Sequence, residues 1–172
     1  MSMDQLYQEL ILDHARSPHR AGLREPYDVE VHHVNPTCGD EITLRVRLAG
    51  DRVEDVSYES AGCSISVAGA SVMADEVTSA TVDGAMQRYA AVLDVLQGRA
   101  DADPERDGDV AAFAGVRRFP ARVKCALLGW AAMRDAVSQA VAAAGDNGSA
   151  TDDSATDDSA TDDSATDDRE RS

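Results

Sequence analysis

The chain has 172 residues, and its 16 Lys and Arg against 32 Asp and Glu give a formal net charge of −16. This length predicts one domain of ordinary size. So acidic a chain is not expected to bind nucleic acid by neutralising phosphates, or to dock on an anionic membrane. It contains no apolar run near the roughly 20 residues of a membrane-spanning helix, and its N-terminal segment carries acids rather than an apolar signal sequence. The expected compartment is therefore the cytoplasm.

The negative charge is concentrated near the C-terminal end of the sequence. Residues 145–172 carry ten acids and two arginines, and the pentapeptide Ser-Ala-Thr-Asp-Asp occurs four times between Ser149 and Asp168. This segment has no large apolar residue, so burial cannot offset the entropy that would be lost on ordering it. We therefore predict a folded domain over residues 1–144 and a disordered acidic tail over 145–172.

Hydrophobic periodicity predicts the elements of the first part of the chain. Apolar residues at helical spacing predict a helix over 3–16. Alternating apolar and polar residues predict strands over 27–35, 41–48 and 53–60. Short connections between these strands predict an antiparallel meander with one polar face.

The period becomes helical after the third strand. The predicted segments are a helix over 65–77 rich in small residues, a helix over 82–97 capped by Thr81, a charged loop over 98–109, a short helical turn over 109–115 and a last helix from Pro120 to Ala144. Together with the strands, these segments predict an α+β fold in which helices pack on one face of a three-stranded antiparallel sheet.

Three cysteines lie where the predicted elements meet. Cys38 is in the loop between the first two strands, Cys63 lies between the third strand and the next helix, and Cys125 is early in the last helix. An odd number of cysteines in a cytoplasmic chain argues against a disulfide framework. If the three segments converge, the thiolates and Asp40 form a four-ligand set that suits zinc.

The spacing of these residues alone leaves other interpretations open. Free cysteines are often simply buried, as expected for Cys125 on an apolar helix face. A lone nucleophilic cysteine is a third possibility, although no histidine flanks a cysteine to act as its base. Four histidines are expected at the surface or on helix faces rather than as metal ligands: His14, His19, His32 and His33.

Three motifs, taken together, resemble one protein family. They are Asn35-Pro36-Thr37-Cys38-Gly39-Asp40, Gly62-Cys63-Ser64-Ile65-Ser66 and Phe119-Pro120-Ala121-Arg122-Val123-Lys124-Cys125-Ala126. In this order they resemble the SufU branch of the IscU/NifU N-terminal family. The resemblance extends over roughly residues 3–140, and the acidic tail has no counterpart in the family pattern.

The resemblance implies a function in iron–sulfur cluster biogenesis. It implies a zinc ion held by Cys38, Asp40, Cys63 and Cys125, with Arg122 supporting the site. It also implies that Cys38 accepts persulfide sulfur from a SufS-type cysteine desulfurase, whose histidine takes over a zinc position and frees the thiolate. The sulfur then passes to the SUF assembly machinery. The chain is thus expected to be a zinc-dependent sulfurtransferase that activates a desulfurase, rather than a metabolic enzyme.

The same family leaves a second function open. Its scaffold members assemble a transient iron–sulfur cluster at the same cysteines, and they have a histidine immediately before the third cysteine. This chain has Lys124 there, which cannot replace a neutral imidazole while it is protonated. Residues 98–118 also resemble the insertion of the SufU branch. Both features favour zinc-dependent sulfur transfer over cluster assembly.

Overall fold

The computed structural model describes the backbone of residues 2–167 and the side chains of residues 2–145. Its elements are α1 (Met3–Arg16), β1 (Val29–Asn35), β2 (Asp40–Ala49), β3 (Arg52–Ala61), α2 (Ser64–Val77), α3 (Val82–Leu96), α4 (Pro104–Asp107), a 3-10 segment (Gly108–Arg118) and α5 (Pro120–Asp167). The predicted strands and the long predicted helices are all present, and each begins within two residues of its expected start.

The strands form an antiparallel sheet in the order β1-β2-β3. Val31 lies opposite Leu44, and Leu44 lies opposite Tyr58. These three side chains are buried, whereas Glu30 and Glu41 on the other face are exposed. Successive residues of a strand point to opposite faces, so the alternating sequence produces one core face and one polar face.

Helices cover the apolar face of the sheet. α5 packs against β1 and β2, and α2 packs against both β3 and α5. A Cβ added at Gly69 would lie 2.6 Å from the Ala126 carbonyl oxygen, and one at Gly129 would lie 2.9 Å from the Ala70 Cα. α2 and α5 therefore approach each other closely because small residues line their crossing. The predicted α+β fold class, with helices on one face of a three-stranded sheet, is confirmed.

The prediction of a loop over 98–109 is wrong in part, because helix α4 lies within it. Asp103 caps this helix by accepting a hydrogen bond from the Glu105 N–H at 3.0 Å. Pro104 occupies the first turn, where its missing N–H breaks no helical hydrogen bond. The helical turn predicted over 109–115 is longer than expected and has 3-10 geometry over Gly108–Arg118.

The C-terminal helix begins at Pro120, as predicted, and is helical along the backbone to Asp167, beyond the expected end at Ala144. Its last buried side chain, among those described, is Ala140. The acidic tail expected over 145–172 falls almost wholly on residues outside the described side chains, so its disorder stays a prediction. Neither this helix nor any other within residues 2–167 combines the length and the apolar character needed to cross a membrane.

Candidate metal centre

The three cysteines lie at one end of the sheet, each placed there by a different pair of elements. Cys38 is in the four-residue turn between β1 and β2, and its side chain is exposed. Cys63 follows β3 and is the N-cap residue of α2, where it is partly buried. Cys125 is in the second turn of α5 and is fully buried.

Two of the cysteines and one carboxylate form a compact group of potential metal ligands. The Sγ atoms of Cys38 and Cys125 are 3.3 Å apart. Together with an oxygen of Asp40, their ligand atoms all lie within 4.8 Å of one another. Cys63 is outside this tightest group, but its Sγ lies 3.5 Å from Asp40 Oδ2. Of the four expected ligands, the structure thus brings Cys38, Asp40 and Cys125 into one compact group and places Cys63 in contact with Asp40.

Asp40 is the buried acid of this group. It is the first residue of β2, and it is only 2% exposed. Its Oδ1 accepts a hydrogen bond from the Cys63 backbone N–H at 3.1 Å. A buried carboxylate is costly unless it is hydrogen-bonded and paired with positive charge, and a single N–H supplies no full charge. A cation bound beside this carboxylate would offset that cost.

Arg122 lies one helical turn before Cys125, and its guanidinium interacts with two of the cysteines. The sulfurs of Cys63 and, after it, Cys125 raise the pKa of the Arg122 guanidinium above its usual value. This direction shows that negative charge on the two sulfurs is what the guanidinium would stabilise. The neighbouring Lys124 side chain is exposed.

Burial disfavours the charged thiolate form of Cys125. It raises the pKa of Cys125, and the adjacent Cys38 and Asp40 raise that pKa further. In the absence of a metal ion, burial therefore favours the neutral thiol at Cys125. A bound metal ion would reverse this preference, because coordinating thiols are deprotonated.

The donor set fits zinc by its chemistry. Thiolate sulfurs are soft ligands, which favour zinc over magnesium or calcium, and a carboxylate oxygen is a harder ligand that zinc also accepts. A tetrahedral zinc with Zn–S bonds of about 2.3 Å places two sulfurs roughly 3.8 Å apart. The Cys38 and Cys125 sulfurs, 3.3 Å apart, would have to separate by roughly 0.5 Å to reach that spacing. The 3.5 Å between Cys63 Sγ and Asp40 Oδ2 equals the roughly 3.5 Å expected for a sulfur and an oxygen on one zinc ion.

The histidines do not join this group within the described part of the chain. His14 is buried on α1, with Nδ1 2.7 Å from Ser71 Oγ and Nε2 3.0 Å from Asp109 Oδ2. A second cluster of potential ligands consists of His14, His19 and Asp75. Both ring nitrogens of His14 are already used in hydrogen bonds to α2 and to the 3-10 segment. The cluster is therefore explained by these structural contacts, which attach α1 to the rest of the domain.

Asn35 also contacts one of the cysteines, although its sequence motif assigns it no role of its own. Asn35 closes β1 opposite Asp40, is 5% exposed, and points its Nδ2 at Cys125 Sγ over 3.8 Å. The alternation of β1 predicts that Asn35 points inward, because Asn35 lies on the same face of the strand as Val31 and His33.

Comparison with known proteins confirms the resemblance drawn from the three motifs. The NifU-like N-terminal domain family matches residues 6–140. The zinc-dependent sulfurtransferase SufU of Bacillus subtilis (strain 168) is 39% identical over 138 residues, which are 80% of this chain and 93% of that protein. The iron-sulfur cluster assembly scaffold protein IscU of Streptococcus pyogenes serotype M1 is 33% identical over 137 residues, or 80% of this chain and 86% of that protein.

A solved structure of a NifU-like protein has the same fold as this chain. The N-terminal part of a nitrogen-fixing NifU-like protein from Brucella abortus aligns with a TM-score of 0.73 at 28% identity, over 80% of this chain and 96% of that one. The fold, the grouping of the three cysteine motifs and the family match agree, and the chain belongs to the NifU-like N-terminal domain family.

Proposed function

We propose that this chain is a zinc-dependent sulfurtransferase of iron–sulfur cluster biogenesis. The proposal is carried by one observation: the exposed Cys38 and the buried Cys125 have sulfurs 3.3 Å apart, beside a buried carboxylate. Such a site combines metal-binding donors with one thiol that another protein can reach. The Bacillus subtilis relative, which is a zinc-dependent sulfurtransferase by name, supports the same function.

Cys38, Asp40, Cys63 and Cys125 would hold the zinc ion. Four anionic ligands around a divalent ion leave a net charge of about −2, which Arg122 would partly offset. When bound, zinc keeps these thiols deprotonated at neutral pH, where a free thiol with a pKa near 8.5 is mostly protonated.

Cys38 is the proposed sulfur acceptor, because its side chain is the most exposed of the three. The proposed donor is the cysteine persulfide of a SufS-type desulfurase. The Cys38 thiolate attacks the outer sulfur of that persulfide, and a new S–S bond forms on Cys38 while the S–S bond of the donor breaks. The donor cysteine leaves as a thiolate, so the transfer consumes no external oxidant or reductant. The persulfide on Cys38 then serves as donor to a SUF cluster-assembly scaffold.

Apolar side chains beside the cysteines suit a protein as the sulfur donor. Phe119 is 61% exposed and lies three residues before Arg122. It lines an open groove of about 510 Å³ with Ile65, two residues after Cys63, and with Leu12 of α1. A partner that covers this groove would contact α2 just after Cys63 and the residue that precedes α5, the helix that carries Cys125, so it would lie beside the elements that form the site.

A second candidate is an iron–sulfur cluster scaffold or carrier. It is favoured by the Streptococcus pyogenes relative, a scaffold protein by name, and by the fact that thiolates also hold iron–sulfur clusters. The residue before Cys125 argues against it, because Lys124 is exposed and offers no neutral nitrogen while protonated.

Metal content separates the two candidates. We expect anaerobically purified protein to carry about one zinc per chain and to be colourless, because four protein ligands close a zinc site. Iron with charge-transfer absorption in the visible region would instead support the scaffold. Elemental analysis with an absorption spectrum makes the measurement.

The sulfur acceptor is tested by the same protein in a desulfurase assay. Cys38→Ser is expected to abolish stimulation of a SufS-type desulfurase and persulfide labelling of this chain. Thr37→Ser, in the same exposed turn, is the matched control and should stimulate as the wild type does. Full stimulation by Cys38→Ser would exclude Cys38 as the acceptor.

A further inference from the structure

The side chain of Asn35 connects the turn that carries Cys38 to the sulfur of Cys125. Its Oδ1 accepts a hydrogen bond from the Thr37 N–H at 3.2 Å, and its Nδ2 lies 3.8 Å from Cys125 Sγ. The Asn35 carbonyl oxygen also accepts from the Gly39 N–H at 2.8 Å. Both ends of one buried amide are therefore engaged, one by the turn and the other by a cysteine.

The neighbours of this amide determine which way it points. A backbone N–H can only donate, so the amide oxygen must face Thr37. The NH2 group then faces Cys125, and it too can only donate. Hydrogen bonds from an amide are stronger to a charged acceptor than to a neutral one, so this contact suits a sulfur that carries negative charge.

The three cysteines are held unequally. Cys125 is buried and receives the Asn35 amide. Cys63 is held by Asp40, which contacts both its sulfur and its backbone N–H. Cys38 is exposed, and within the described residues Cys125 is the hydrogen-bonding partner of its sulfur. Within the close Cys38–Cys125 pair, the amide of Asn35 therefore contacts the sulfur of Cys125 and not that of Cys38.

We propose that Asn35 is a positioning residue that retains Cys125 as a metal ligand and leaves Cys38 as the reactive thiol of the pair. The inference rests on the proposed function, since it requires metal at the cysteines. Nδ2 holds the Cys125 sulfur, and Oδ1 holds the turn so that Cys38 stays on its exposed side. Loss of the amide should make the two sulfurs more nearly equivalent although neither cysteine is altered.

The decisive variant is Asn35→Asp in the full-length, zinc-loaded protein. Aspartate keeps an oxygen for the Thr37 N–H but offers no donor to Cys125. The measurement is the rate of alkylation of each cysteine by iodoacetamide, read from its peptide by mass spectrometry. In the wild type, Cys38 is expected to react first and Cys125 last. In Asn35→Asp, alkylation of Cys125 should rise about tenfold, while that of Cys63 stays unchanged.

Transfer of zinc to a chromophoric chelator is the second readout, and it should be about tenfold faster in the same variant. Asn35→Ala removes donor and acceptor without adding a charge, and it should show the same rise at Cys125. If circular dichroism shows that Asn35→Asp does not fold, Asn35→Ala alone tests the role of Asn35. Thr37→Ala keeps the backbone N–H that binds Asn35, so it is the matched control and should react like the wild type.

The outcomes separate this inference from the function on which it rests. Zinc-loaded Asn35 variants with the wild-type order and rates of alkylation would overturn the role of Asn35 and leave the sulfurtransferase intact. An equal rise at all three cysteines would indicate general loosening and would overturn the role as well. A wild-type protein that neither carries nor takes up zinc would overturn the proposed function, and the inference with it.

Discussion

Asp40 fills the space that a side chain at position 62 would need. A Cβ added at Gly62 would lie 2.7 Å from Asp40 Cγ and 2.8 Å from Asp40 Cβ, which is closer than carbon atoms approach without bonding. The same carboxylate accepts the hydrogen bond from the Cys63 N–H. Glycine at position 62 therefore allows a buried acid to reach the start of α2, where the second cysteine lies.

Gly62→Ala is expected to push the Asp40 carboxylate out of its place. The overpacked site should lower the free energy of unfolding by about 1–3 kcal/mol. Zinc affinity should fall by about tenfold or more, because a displaced ligand or its support costs that much. Competition with a chelator and unfolding in urea measure the two effects.

Gly115→Ala is the matched control for that substitution. A Cβ at Gly115 would meet only the end of the flexible Arg118 side chain, at an ordinary 3.7 Å. This variant should keep wild-type zinc affinity. If Gly62→Ala also bound zinc as tightly as the wild type, the Asp40 carboxylate would not be held where the structure places it.

Asp40→Asn separates the charge of this residue from its shape. The amide oxygen can still accept from the Cys63 N–H, but the buried negative charge is lost. We expect zinc affinity to fall at least about tenfold. Without metal, the variant should be as stable as the wild type or more so, because an uncompensated buried charge is destabilising. Melting temperatures with and without zinc make the comparison.

The neighbouring Glu41→Gln provides the control for Asp40→Asn. Its carboxylate is exposed on the polar face of the sheet, so neither zinc affinity nor the melting temperature should change by much. Equal zinc affinity in wild type and Asp40→Asn would remove Asp40 from the proposed ligand set.

Most of the fold follows from local patterns in the sequence. The strict alternation around Leu44 produces the core face of β2, and Thr81 accepts from the Gly84 N–H as the predicted N-cap of α3. Helix α4 was missed because the charged composition of its segment outweighed the capping signal at Asp103-Pro104. Cap residues contribute about 1 kcal/mol, which composition alone does not reveal.

The contacts within the candidate site are harder to predict from the sequence than the fold. Motif order indicated that Cys38, Cys63 and Cys125 meet, and the structure places them together, while their role as ligands stays a prediction. The amide contact of Asn35 with Cys125 joins residues 90 positions apart. The contact of His14 with Ser71 spans 57 positions. Such contacts depend on how β1 packs against α5 and how α1 packs against α2, and no local pattern encodes that packing.

Asp107 is expected to make stability depend on acid pH. This buried side chain at the end of α4 is paired with Arg106, whose hydrogen bonds hold the pKa of Asp107 below its usual 3.8. A depressed pKa stabilises the fold at all pH values above the unfolded value. The contribution is lost as pH falls through the lower, folded value. Asp107→Asn should therefore cost about 1–2 kcal/mol at pH 7, and the difference from the wild type should shrink below pH 3.8.

Urea unfolding between pH 7 and pH 3 tests this expectation. Asp101→Asn is the matched control, because that carboxylate is 98% exposed and its Arg117 contact is long, at 3.8 Å. It should leave stability unchanged at every pH. A difference between Asp107→Asn and the wild type that stayed constant with pH would show that the pair with Arg106 does not depend on charge.

Removal of residues 145–172 should leave the metal centre and the fold intact. The last buried side chain described on α5 is Ala140, so a chain that ends at Ala144 keeps its apolar contacts. The deletion removes ten acids and two arginines, which is half of the net charge of −16. We expect unchanged zinc content, a melting temperature within about 2 °C of the full chain, and the same rate of sulfur transfer at moderate salt.

A full-length variant with asparagine in place of each aspartate of the four pentapeptides is the matched control, because it keeps the length of the segment but not its charge. A loss of stability in the truncated chain alone would mean that residues beyond Ala144 pack against the domain. A loss in both variants would mean that the acidic charge itself supports the fold. Either result would contradict the prediction of a disordered tail that is independent of the domain, because such a segment buries too little surface to stabilise anything.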